Sequence, residues 1–341
     1  MEGRDVMARQ RTEATQELAN RLAIPDREGG FSHSALLYSD SAEYLDGLAE
    51  FARMAAAAQA PLQAVVPWPS TMMARGAFPV LPPRSLLADM TDLGRNPARL
   101  IPAAQSFADE HPGEHVYCLW EPAWPRRSAA ELAEVGRHEA LVGLALGDRA
   151  MTVLCLYDVG KLSSELIADV ERTHPVMISA GRRRESLAYI GLGVLPPDCD
   201  APLPPPGCDA QSLAFTDQLS AVREFSARQA RAAGLTVAGG RDLALAVSEI
   251  AANAFAYAGG GSLSIWCTDD EIIAQVEDSG HISDPLAGRR RRPADSAGGH
   301  GLWLVNLVCD LVERRTSPGG TVTRLHLRRG RRQAFAAPSA P

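Results

Sequence analysis

Three short stretches in the last third of the sequence combine residue types that handle metal, nucleobase and phosphate. Glu249 and Asn253 stand four apart in Ser248-Glu249-Ile250-Ala251-Ala252-Asn253, which puts both side chains on one face of a helix. A carboxylate and an amide so paired suit a hydrated Mg2+, which takes few protein ligands and completes its shell with water and phosphate oxygens. Glu277-Asp278-Ser279-Gly280 closes a strand-like run. A carboxylate there can accept a hydrogen from a base-edge amino group, and the glycine admits close approach of a ligand. Gly298-Gly299-His300-Gly301-Leu302 opens another helical pattern, whose unpaired N–H groups and dipole favour phosphate.

The elements around these stretches can be read from apolar spacing. Leu243, Val247, Ile250 and Ala254 recur at four, three and four residues, one buried stripe on a helix expected over Arg241 to Ala258. Before it come a strand near Gln211 to Phe215 and a helix carrying Leu219, Val222 and Phe225. After it come strands over Ser262 to Cys267 and Glu271 to Glu277, a helix from Leu302 to Leu311, and strands Val312 to Thr316 and Thr321 to Leu327. That order predicts a two-layer α/β sandwich, a sheet with helices on one face.

The first half alternates strand and helix instead. Strands are expected at Ser34 to Tyr38, Pro61 to Val66, His115 to Trp120 and Met151 to Tyr157. Helical patterns fall near Ser41 to Gln59, Ala98 to Glu110, Ala129 to Leu146 and Ser163 to Thr173. Alternation of this kind predicts a three-layer α/β domain with a mostly parallel sheet. Ligands of such sheets sit at strand C-terminal ends, here Tyr38, Pro67-Trp68, Trp120-Glu121 and Tyr157-Asp158. Residues 196 to 207 hold six prolines in twelve positions and read as a stiff extended linker. The expected organisation is a polar segment over 1–30, a domain over 31–194, the linker over 195–208, a domain over 209–330 and a tail over 331–341.

Composition removes several classes. Lys161 is the single lysine among 34 basic residues, and it lies in Gly160-Lys161-Leu162-Ser163 with Cys155 where a P-loop would place its first glycine. A Walker-type NTPase, a protein kinase of the strand-lysine type and a pyridoxal-phosphate enzyme are excluded with it. The net charge of -7 argues against direct nucleic-acid binding. Six cysteines without a Cys-x-x-Cys pair indicate reduced thiols. No run of about 18 apolar residues is present, so a cytoplasmic protein without membrane contact is expected.

In order and spacing, the second half resembles bacterial anti-sigma serine kinases of the RsbW type, members of the GHKL (Bergerat-fold) ATPase superfamily. Ser248-Glu249 to Asn253 resembles the N-box, Asp278-Ser279-Gly280 the first glycine box, Gly299-His300-Gly301-Leu302 the second, and Gly319-Gly320-Thr321 the closing Gly-Thr. The resemblance implies ATP and Mg2+ as cofactors, with Asn253 on the metal and Glu249 as general base. It further implies Asp278 on the adenine amino group, Thr321 supporting it, Gly299 and Gly301 at the phosphates, and Gly280, His300 and Leu302 among the nucleotide-binding residues. Residues 281–297 would form the ATP lid. Two positions depart from the pattern: Ile282 replaces the usual second glycine, and Tyr257 the usual histidine after the N-box.

The first half resembles a MEDS sensory domain. The resemblance rests on His33 to Tyr38, Glu121 to Ser128, His138-Glu139-Ala140-Leu141, Cys155 to Asp158 and Thr173-His174-Pro175. It implies a small-molecule ligand without naming one. The pairing resembles RsbA-family regulators, which implies a sigma factor and a STAS-type anti-anti-sigma protein as partners, and dimerisation through the second domain as a family-level expectation.

Other readings stand beside these. Ile282 could mark a partner-switching scaffold that has lost useful nucleotide binding. His138-Glu139 could begin a histidine-kinase phosphoacceptor box, although a linker and a strand-helix unit separate it from the ATPase-like half. His33 and His174 could bind a ligand or metal, against the commoner structural role of lone histidines. His111, His115 and Cys118 lack a fourth partner in register for zinc. Arg289 to Arg292 fall in the expected lid, where they could cover triphosphate or meet an acidic partner.

Overall fold

The computed structural model describes residues 30–67, 84–290 and 299–329. Residues 1–29 of the expected N-terminal segment, the tail and Trp68 lie outside them. The chain divides into two compact units, the first of residues 1–94 and 103–196 and the second of 95–102 and 197–341.

Unit 1 is built on a seven-stranded sheet in the order β3-β2-β4-β5-β1-β6-β7. Its strands are β1 (Phe31–Tyr38), β2 (Leu62–Val66), β3 (Leu86–Asp89), β4 (Val116–Trp120), β5 (Met151–Asp158), β6 (Val176–Ser179) and β7 (Arg182–Glu185). Every neighbouring pair is parallel except the β6–β7 hairpin. All eight residues of β5 are buried, as befits a central parallel strand covered on both faces.

The helices are α1 (Ser41–Ala57), α2 (Leu100–Asp109), α3 (Ala129–Leu146) and α4 (Ser164–Thr173). Their starts follow from side-chain caps: Asp40 accepts the Ala42 and Glu43 amides, and Ser128 and Glu131 form a reciprocal capping box. Three strands were not expected. β3 and β6 are four residues long, and β7 reads Arg-Arg-Arg-Glu, without the apolar alternation that marks a strand. Pairing with β6, not propensity, makes β7 extended.

Unit 2 is a five-stranded antiparallel sheet in the order β11-β12-β10-β9-β8. The strands are β8 (Gln211–Phe215), β9 (Gly261–Cys267), β10 (Glu271–Asp278), β11 (Leu311–Ser317) and β12 (Gly320–Arg328), with helices α5 (Leu219–Ala232), α6 (Val237–Ala258) and α7 (Gly301–Val308). Alternation separates the faces of the sheet. Leu263, Ile272, Ala274, Val276, Leu325 and Leu327 join the helix stripe of Val222, Leu243, Val247 and Ile250 in one apolar core. Gln275, Arg324 and His326 point the other way and bond one another or nearby carboxylates.

The proline-rich stretch is not wholly extended. Pro197–Asp200 makes one 3-10 turn, with proline in the first-turn position that tolerates its missing N–H. Two arginines on the outer face of the sheet then hold the stretch. Arg315 Nε donates to the Ala201 carbonyl at 2.9 Å, and the Arg324 guanidinium donates to the Pro204 carbonyl.

His326 sits between two carboxylates on that face, with Nδ1 2.9 Å from Glu271 and Nε2 3.0 Å from Glu313. Burial alone would lower its pKa, but the hydrogen bonds and charges of both glutamates outweigh that and raise it from 6.5 to about 9. A raised histidine pKa stabilises the fold fully below 6.5, and that contribution is lost as pH climbs through about 9. Denaturant titration should therefore show wild type losing on the order of 3 kcal/mol of its advantage over His326→Gln between about pH 6 and about pH 10. An equal advantage at both pH values would exclude a charged His326.

Candidate nucleotide site

The site in unit 2 begins with α6. Thr236 caps its start by accepting the Gly239 amide at 3.0 Å, and Gly259, in the left-handed conformation, ends it. The helix buries Leu243, Val247, Ile250 and Ala254. Glu249 and Asn253 are left partly exposed beside that stripe.

Across from them β10 ends at Asp278, whose register partner on β12 is Thr321. Asp278 Oδ1 accepts the Gly280 amide at 2.7 Å, and Thr321 Oγ1 donates to the Gly280 carbonyl at 2.8 Å. The turn after β10 is thereby fixed with its carboxylate facing the pocket. Burial raises the Asp278 pKa, with the Gly280 N–H working in the opposite direction. Gly320 has φ +133, and a Cβ there would fall 2.2 Å from the Asp278 carbonyl oxygen, so only glycine lets the two strands close beside the pocket.

The third wall is the start of α7. A Cβ on Gly301 would lie 2.4 Å from Glu249 Oε2. The missing side chain is what allows the Glu249 carboxylate against the positive end of the helix. The segment leading toward α7 is anchored in its described part. Leu286 is buried, Asn306 Nδ2 donates to the Gly288 and Leu302 carbonyls at 3.1 Å each, and Arg314 donates to the Ala287 carbonyl at 3.0 Å.

These walls enclose a cavity of about 630 Å3, within the usual size of cofactor sites. Of the residues expected from the sequence, Glu249, Asn253, Asp278, Gly280, Gly299, Gly301, Leu302 and Thr321 line it. His300 is not among the lining residues and instead occupies the cap position of α7, without a side-chain cap bond. Arg290 reaches the cavity and Arg289 is buried, whereas Arg291, Arg292 and Gly298 fall outside the described residues.

Leu286, Ala287 and Gly288 fall within the expected lid of residues 281–297 and line the cavity, although sequence alone assigned none of them an individual role. Ile282 also lines the cavity. It has none of the positive φ that would require glycine, and its amide donates to Thr316 Oγ1 at 3.2 Å. Tyr257 is 84% exposed at the rim.

The geometry fits Mg-nucleotide on three counts: a carboxylate–amide pair on α6, a carboxylate fixed at a strand end, and a glycine-opened helix start. The family comparisons agree. Residues 32–175 match the family described as MEthanogen/methylotroph, DcmR Sensory domain (MEDS), and residues 213–327 match the family described as Histidine kinase-like ATPase domain. The chain joins a MEDS domain to a histidine kinase-like ATPase domain.

No curated protein matches the chain. Among solved structures, the RsbU and RsbW domains of a Mycobacterium tuberculosis protein align at 17% identity and a TM-score of 0.27. That alignment covers 62% of this chain and 51% of the other, so the chain spans about half the length of that structure. No helix among the described residues is long and apolar enough to cross a membrane.

In the MEDS domain, three of the strand ends expected to face a ligand cluster together. Glu121 accepts the Tyr38 hydroxyl at 3.1 Å and the Tyr44 hydroxyl at 2.7 Å, and Lys161 donates to Asp158 at 2.6 Å. Burial pushes Glu121 up to about 7 against the two tyrosine hydrogen bonds, with the Asp158 charge adding to the rise. His138, by contrast, has no exposure and packs against Trp120 at 5.4 Å between ring centroids. A histidine so enclosed cannot be reached by a γ-phosphate, which removes the structural basis for the phosphoacceptor reading.

Proposed function

We propose that the chain is a partner-switching regulator of the anti-sigma kinase kind. Its ATPase domain binds Mg-ATP, phosphorylates a serine or threonine on a STAS-type anti-anti-sigma protein and sequesters a sigma factor. The MEDS domain controls that output in response to a small molecule at its strand C-terminal ends. The observation that carries this reading is the convergence of Glu249, Asn253, Asp278, Gly301 and Thr321 on one cavity in a chain that also bears a MEDS domain.

In this reading Asn253 holds Mg2+, Asp278 and Thr321 select adenine, and Gly299 and Gly301 leave room at the triphosphate. Bound Mg2+ supplies neutralisation of phosphate charge. The chain itself contributes position and a base. Glu249 accepts the proton of the attacking hydroxyl, and the start of α7 places N–H groups where negative charge collects.

Asn253→Ala tests the metal assignment. With circular dichroism unchanged, transfer to a STAS-domain substrate should fall below detection, and calorimetric titration should show Mg-ATP binding weakened at least tenfold. Unchanged transfer would overturn the role of Asn253. A folded wild-type chain that binds its partners equally with and without Mg-ATP would instead support a scaffold with a degenerate nucleotide site.

A further inference from the structure

The MEDS domain buries a second cluster that the proposed function does not use. His33 on β1, Glu139 on α3, Cys155 on β5 and His174 just after α4 are each at most 4% exposed. One ligand atom from each lies within 4.8 Å of all the others. Glu139 Oε2 is at the centre, 3.0 Å from His33 Nε2, 3.3 Å from His174 Nε2 and 3.5 Å from Cys155 Sγ. Cys155 Sγ is also 3.5 Å from His33 Nε2. We infer that these four side chains form a closed tetrahedral site for a divalent transition metal of the zinc class.

Four observations support the site. The first is spacing. Ligands about 2.0–2.3 Å from a tetrahedral zinc stand roughly 3.3–3.8 Å from one another, close to the 3.0–3.5 Å contacts that Glu139 Oε2 and His33 Nε2 make, with the remaining pairs within 4.8 Å.

The second is orientation. His174 Nδ1 lies 2.9 Å from the Val170 carbonyl, which can only accept, so Nδ1 carries the proton and Nε2 faces the cluster. Glu139 Oε1 is occupied by the Tyr157 hydroxyl at 2.7 Å, which leaves Oε2 for the centre. Outer hydrogen bonds of this kind are what orient histidine and carboxylate ligands at metal sites.

The third is a crowded acceptor pair. With the proton on Nδ1, the His174 Nε2 lone pair is buried facing Glu139 Oε2 at 3.3 Å, outside standard hydrogen-bond geometry. Two buried acceptors held face to face repel unless a proton or a cation lies between them.

The fourth is charge. A divalent ion with one carboxylate, one thiolate and two neutral imidazoles sums to zero, the balance that a fully enclosed site requires. Mixed nitrogen, sulfur and oxygen donors in a tetrahedron favour zinc over magnesium or calcium. Binding releases the Cys155 thiol proton to solvent, and with all four positions held by protein the site is structural, not catalytic.

The test uses the full chain, stripped of metal with a chelator and titrated with Zn2+ alone against a chromophoric competitor. Uptake of one equivalent per chain is expected, together with a thiolate-to-cobalt charge-transfer absorption when Co2+ replaces zinc. Cys155→Ser and His174→Gln should each weaken binding at least tenfold, while Cys208→Ser, at an exposed cysteine, should leave it unchanged. The cobalt spectrum of wild type reads thiolate ligation even where a variant fails to fold. A folded wild-type chain without stoichiometric uptake, or cobalt bound without the thiolate band, would overturn the proposal. So would uptake that survives in both folded variants or disappears with Cys208→Ser.

Discussion

Replacing Glu249 with glutamine should reduce phosphoryl transfer by about a hundred- to ten-thousand-fold, the range over which a positioned general base acts, while Mg-ATP affinity changes by less than about threefold. Glutamine keeps the shape of the side chain beside Gly301, where the Glu249 carboxylate rests against the helix start, so the pocket keeps its form. In the proposed role of Glu249, what it would remove is the acceptor for the proton of the attacking hydroxyl. The split between transfer and affinity distinguishes a base from a binding residue. Single-turnover transfer to a STAS-domain substrate, with calorimetry on the same preparation, would measure both. Equal transfer by wild type and variant would leave Glu249 without a chemical role.

Asp278→Asn should weaken ATP binding by about ten- to a hundredfold, as expected when a hydrogen bond to a charged group is lost, and should narrow the preference for adenine over guanine nucleotides. The substitution is mild for the fold. Asp278 Oδ1 accepts the Gly280 amide at 2.7 Å, and an asparagine oxygen can do the same. The other oxygen, however, becomes an amino group, which in the proposed adenine contact would face another donor. Titrations with ATP and GTP would read the effect, and an ATP affinity within twofold of wild type would show that Asp278 does not contact the base.

The elements that position this site were legible where local signals agreed. The stripe from Leu243 to Ala254 and the alternation through β10 and β12 predicted a helix over a sheet, and both formed. In unit 1 the expected Ala129 to Leu146 helix formed over that span because a capping box and sustained periodicity point the same way.

The zinc-class cluster was not legible. Its histidines were singled out, but His33 and Cys155 are 122 residues apart. Only the parallel register of β1 with β5, which sets Ala35 opposite Cys155, brings them together. No local pattern encodes a contact made by sheet order. Leu286 to Gly288 fell within the expected lid, but their anchoring to Asn306 and Arg314 was hidden for a related reason, since those partners lie beyond the next helix start.

The pairing of β10 with β12 carries a further consequence. Asp278 meets Thr321 in the same register that turns Leu325 and Leu327 inward and sends Arg324 and His326 outward. A slip of one residue would reverse every side chain of the strand, stranding charged groups in the core, and would part Asp278 from Thr321. A misassembled sheet would therefore lose the Asp278–Thr321 wall of the cavity as a unit. In the proposed reading, nucleotide occupancy would then report correct assembly, because a mis-paired chain would lack the wall that selects the base.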